Sequence, residues 1–71
     1  MKILMETVNI EYEKSFTDTY TIYDRSEYVQ FLALGRKWGY TQDNHIFIQR
    51  ENMERAIDEV HEILRKRIRK F

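Results

Sequence analysis

Residues 35–49 read GRKWGYTQDNHIFIQ, and the way this stretch is divided decides how many strands the sheet has and which way they run. Gly39 marks the end of a helix. It follows Trp38 and places Tyr40 where it can touch Leu34, as at a Schellman end, where glycine takes the left-handed conformation. Gly35 is the poorer terminator, because Arg36 would then fill that apolar position. Inside a helix Gly35 costs about 1 kcal/mol relative to alanine. Thr41 to Asn44 then make a polar loop, and His45–Gln49 (HIFIQ) makes a short strand with apolar residues on both faces.

Working back from Gly39, Asp24 is an N-cap and Glu27 lies three residues on, which completes a capping box. Tyr23 and Tyr28 fall at the positions of a hydrophobic staple. The spacing predicts a helix from Arg25 to about Trp38 with Val29, Phe31, Leu32 and Leu34 as its buried stripe. Working forward, Met53, Ala56, Ile57, Val60, Ile63, Leu64, Ile68 and Phe71 recur at helical spacing and predict a helix over Glu51 to Lys70. At 1.5 Å per residue it is roughly 30 Å long.

The first 23 residues carry period two instead. Leu4, Val8, Ile10 and Tyr12 share one face, with Glu6 as the exception. Ile3 and Met5 lead the other, followed by Thr7, Asn9 and Glu11. After a polar break at Glu13–Ser15, Phe16, Tyr20 and Ile22 alternate with Thr17, Thr19, Thr21 and Tyr23. Threonine, tyrosine and isoleucine suit a strand, and two strands around a short break read as a hairpin.

The expectation is one α+β domain over residues 1–71, a two-layer sandwich in the order β-β-α-β-α. Its three-stranded sheet has the order 2-1-3, with both helices on one face. A helix returning the chain makes the third strand parallel to the second and antiparallel to the first. The other sheet face is left uncovered.

Composition limits the function classes. The chain has 71 residues, with 12 basic and 12 acidic side chains and no cysteine. Net zero charge argues against a polyanion binder working by bulk charge. Without cysteine there is no disulfide scaffold, zinc knuckle or cysteine nucleophile. No apolar run approaches the ~20 residues of a membrane span. Glu6 interrupts the N-terminus, which lacks the apolar segment of a signal peptide. Together these point to the cytoplasm. Proline is absent and glycine occurs twice, so long regular elements and short loops are expected. A chain this small, with no covalent staple, gains from oligomerisation.

Chemistry-bearing motifs are scarce. Ser15 and Ser26 suit a turn and a first helical turn. There is no G-x-S-x-G, phosphate-binding glycine loop or H-E-x-x-H. His45 and His61 read as surface histidines, the pair Asp58–His61 being at most half of a metal site. No catalytic residue, metal or cofactor is expected, and the chain is not read as an enzyme.

Two patches point to binding. Residues 1–64 carry net −5, whereas RKRIRKF, residues 65–71, carries net +5. Bases at a helix C-terminus complement its dipole, yet five in seven residues exceed that need, and Ile68 and Phe71 interrupt them at helical spacing. The second patch, Arg36, Lys37, Trp38 and Tyr40, mixes bases with aromatics of the kinds enriched at interaction hot spots. The residues expected to bind a partner are therefore Arg36, Lys37, Trp38, Tyr40, Arg65, Lys66, Arg67, Arg69, Lys70 and Phe71. The expected function is that of a small accessory or inhibitor module holding a protein partner, as a homodimer. The alternative is a nucleic-acid binder using the basic helix end.

Overall fold

The computed structural model describes residues 5–68. Two strands, β1 (Glu6–Tyr12) and β2 (Phe16–Ile22), pair antiparallel, and Tyr12 lies opposite Phe16. Only Glu13, Lys14 and Ser15 connect them, and Lys14 takes a left-handed φ of 57° to close the turn. Helix α1 (Arg25–Trp38) follows, then β3 (Gly39–Gln42), β4 (His45–Ile48), a single 3-10 turn at Arg50–Asn52 and helix α2 (Met53–Ile68). The sheet has four strands in the order β2-β1-β4-β3. Its central pair, β1 and β4, is parallel, and an antiparallel hairpin flanks it on each side.

The α+β class, the sheet and the two helices stand as expected. The strand count and order do not. Gly39–Gln42, expected as a helix end and a loop, is a strand. It pairs with β4 from Gly39 opposite Ile48 to Gln42 opposite His45. The turn between them is Asp43-Asn44, with Asp43 at a positive φ of 54°. This is the two-residue connection with a positive-φ residue that suits strand twist in a hairpin. Helix α1 therefore delivers the chain to the outer strand β3. The hairpin reverses it once more, so the HIFI strand runs parallel to β1 rather than antiparallel to it.

Gly39 is not the left-handed cap expected of it. Its φ of −172° is extended. It must be glycine because a Cβ there would stand 1.7 Å from the Phe47 carbonyl oxygen.

Alternation divides the sheet into two faces. Val8, Ile10, Tyr12, Ile22, Ile46 and Ile48 point to the helices and are buried with Phe31 and Leu34 of α1 and Ala56, Val60 and Ile63 of α2. Burial of each large aliphatic or aromatic side chain here contributes about 1.5–3 kcal/mol. Val29, expected in the stripe of α1, is exposed; Glu27 takes the buried position instead. A carboxylate can occupy it because Arg67 of α2 donates through Nε to Glu27 Oε2 at 2.6 Å and through Nη2 to Oε1. The same Nη2 donates to the carbonyl of Thr21 on the edge strand β2 at 2.8 Å. Helix α1 starts at Arg25 as expected, with Asp24 as its N-cap and Asp24 Oδ1 accepting from the Ser26 amide at 2.8 Å, whereas Glu27, expected to complete a capping box, gives both carboxylate oxygens to Arg67.

Candidate functional site

The binding patch expected at Arg36–Tyr40 is split by the chain's own geometry, because the helix ends at Trp38 and a strand begins at Gly39. Trp38 stays on the helical side, half-buried against the core, and its Nε1 donates to Glu59 of α2 at 2.9 Å. Lys37 donates to the same carboxylate oxygen at 2.7 Å, and its ammonium lies 5.0 Å from the Trp38 ring centre. Burial pushes the Glu59 carboxyl up, but the hydrogen bonds from Lys37 and Trp38 outweigh it and leave the group below the ordinary value. Trp38 and Lys37 thus tie α1 to α2. Arg36 is exposed on α1.

The basic helix end is also partly engaged. Arg65 pairs with Glu62 at 3.0 Å, and Arg67 is taken up by Glu27 and Thr21. The hydrogen bonds it donates to Glu27 raise the already high pKa of Arg67. Lys66 is exposed. Arg69, Lys70 and Phe71 lie outside the described residues, as does the side chain of Ile68.

Tyr40 goes to the opposite side of the molecule, onto the sheet face that no described helix covers. Its ring stacks on Phe47 of β4 at 4.8 Å between centres and 15° between planes. Phe47 stacks in turn on His45 at 4.4 Å and 6°. Pairing sets these rings in rows across the sheet. Thr17, Glu11, Phe47 and Tyr40 form one row, and Thr19, Asn9, His45 and Gln42 the next. Thr19 donates to Asn9 at 2.8 Å. His45 Nε2 is shielded from water and lies 3.3 Å from Glu11 Oε1 without forming a hydrogen bond to it. Met5 and Tyr23, which continue the outward alternation of β1 and β2, are both exposed.

Beside the rings, at the hairpin end of β1, is an open hollow of about 330 Å³ lined by Glu11, Glu13, Lys14, Tyr40, Phe47 and Gln49 among others. Glu13 Oε1 accepts there from the Arg50 amide at 3.2 Å. The groove between α1 and α2 differs in character, mixing Lys37 and Lys66 with Glu59 and Glu62.

Tyr40 was legible as a candidate contact residue and Phe47 as an uncovered apolar position. Glu11 and His45 were not, since strand pairing alone brings them beside the rings. Among the described residues no group of three or more His, Cys, Asp or Glu side chains could hold a metal ion. No described helix is long and apolar enough to cross a membrane. Comparison of the chain with protein-family models, curated proteins and solved structures finds no match.

Proposed function

We propose that the chain is a non-enzymatic binding module that holds a protein partner on the open face of its sheet, and that two copies pair weakly through the same face when no partner is present. One observation carries this reading: three stacked rings, Tyr40, Phe47 and His45, stand on a sheet face that no helix covers. Aromatic residues are the ones enriched at interaction hot spots, where they present large area at low entropic cost.

The size of the face sets the strength. Its twenty-two strand residues, at about 3.3 Å along and 4.8 Å across each strand, give a planar footprint of roughly 350 Å². A standard interface buries ~800 Å² per partner. Contact confined to this face is transient, which suits an accessory or inhibitor role. The nucleic-acid alternative draws less support, because Arg67 and Arg65 already hold carboxylates.

The test is site-specific photocrosslinking in the native host. A benzoylphenylalanine at position 47 is expected to trap a discrete protein species that the same group at exposed position 29 does not. Equal trapping at both positions, or nucleic acid recovered in place of protein, overturns the reading.

A further inference from the structure

The distribution of charge between the two layers says what kind of partner the open face takes. Residues 5–24 and 39–49, the sheet layer, carry six carboxylates and one base, net −5, whereas residues 25–38 and 50–68, the helical layer, carry eight bases and six carboxylates, net +2. The one base of the described sheet layer, Lys14, stands at the tip of the first hairpin. Of those six carboxylates, Glu6 and Asp18 lie on the inner face and Asp24 caps α1; among the outward residues of the four strands Glu11 is the one carboxylate, and there is no arginine or lysine. Glu11 directly neighbours Phe47, and Phe47 neighbours Tyr40. Two carboxylates, Glu11 and Glu13, and two rings therefore meet at one hollow, whose lining also includes Lys14 and so carries net −1.

From this complementarity we infer that the face docks an arginine-bearing extended segment of a protein partner. A guanidinium lies against the ring edges and faces of Tyr40 and Phe47 while the Glu11 and Glu13 carboxylates accept its hydrogen bonds. Arginine suits this site better than lysine, because its planar group both stacks on rings and pairs with carboxylates, and a cation near an aromatic face gains further from the ring quadrupole. Glu13 keeps one oxygen for the purpose, since the Arg50 amide is bonded to Oε1. An extended segment fits the narrow footprint, laying successive side chains along β4 from the hollow at Phe47 to His45. This inference rests on the binding-module reading.

The experiment is an NMR titration of the full chain with three eight-residue peptides, (Arg-Gly)4, (Lys-Gly)4 and (citrulline-Gly)4. Citrulline keeps the shape of arginine and removes its charge. The arginine peptide is expected to shift the amides of Glu11, Tyr40, Phe47 and Gln49 and to bind at least tenfold more tightly than the citrulline peptide and more tightly than the lysine peptide. Glu11→Gln with Glu13→Gln is expected to weaken it at least tenfold, and Glu11→Gln alone serves if the double variant fails to fold. Phe47→Thr should abolish the preference for arginine over lysine. Glu54→Gln with Asp58→Asn, which removes two charges from the helical layer, should leave binding within twofold. Equal weakening by that helical pair, shifts centred on the helices, or a citrulline peptide that binds as well as arginine would overturn the proposal. If it is overturned while the position-47 crosslink persists, only the partner's chemistry is wrong; if the crosslink fails too, the binding-module reading falls with it.

Discussion

At Gly35 the helix α1 comes so close to the sheet that a Cβ would lie 1.9 Å from Thr41 Oγ1 and 2.9 Å from Ile46 Cγ2. Propensity alone says that alanine at an interior helical position gains about 1 kcal/mol. The packing says the opposite, because overpacking a filled site costs typically 1–3 kcal/mol. Gly35→Ala is therefore expected to lower the denaturation midpoint, and Thr41→Ala in the same chain to recover part of the loss by removing the nearest atom. A Gly35→Ala variant more stable than the parent would place α1 further from the sheet. At Glu59 the folded-state pKa lies below the ordinary value, so its contribution is present above the unfolded pKa and is lost as pH falls through the folded one. The urea midpoint of Glu59→Gln should fall below that of the parent at pH 7, and the gap should narrow below about pH 4.5. A gap that does not change with pH would mean that the Lys37 and Trp38 bonds do not depend on the charge.

Among the elements, α1 and the first hairpin were legible because each carries several agreeing signals: strict alternation, an N-cap, and a helical stripe ending at a glycine. The fourth strand was not, for a physical reason. GYTQ is four residues long, has one large apolar side chain and begins with a glycine, so its own pattern is too short to show a period. What makes it a strand is its partner, since β4 supplies the ladder and Asp43-Asn44 the turn. Glu27 and Val29 were misassigned for a related reason. Burial of Glu27 is made possible by Arg67, forty residues away on α2, and no local periodicity can report that. The Arg67 contact also joins α2, α1 and β2, which yields a test separating a structural base from a phosphate-binding one. Arg67→Met leaves a buried carboxylate unpaired, which costs about 3 kcal/mol. In a domain this small that is a melting shift of more than about 10 °C. Adding Glu27→Leu should recover most of the loss. An Arg67→Met chain that melts with the parent would return Arg67 to the set of free bases.

At the scale of the whole molecule, the two faces of one sheet differ. The inner face makes the core, in which β-branched and aromatic residues from β1, β2 and β4 meet both helices. The described helices cover one side of the sheet, and the outer face carries Glu11 as its one outward strand carboxylate, with Glu13 beside it at the hairpin. The edges are partly protected: β3 is only four residues long, and on β2 the half-buried Asp18 faces inward while Arg67 covers the Thr21 carbonyl. Short edges and inward charges discourage strand-to-strand addition, so the proposed pairing of two copies is expected on the face. With rings and the Glu11 and Glu13 carboxylates side by side, two such faces in the proposed pair would attract through apolar area and repel through charge. Sedimentation equilibrium should therefore give an average mass that rises from 8.8 kDa toward twice that value only above tens of micromolar protein, the range of a small transient interface. Added salt should strengthen the association by screening like charges. Phe47→Asp should hold the mass at the monomer value with the fold intact. A mass fixed at the monomer value even at millimolar protein would exclude pairing, and reversion by Ile68→Asp or Phe71→Asp instead of Phe47→Asp would move the interface to the end of the long helix.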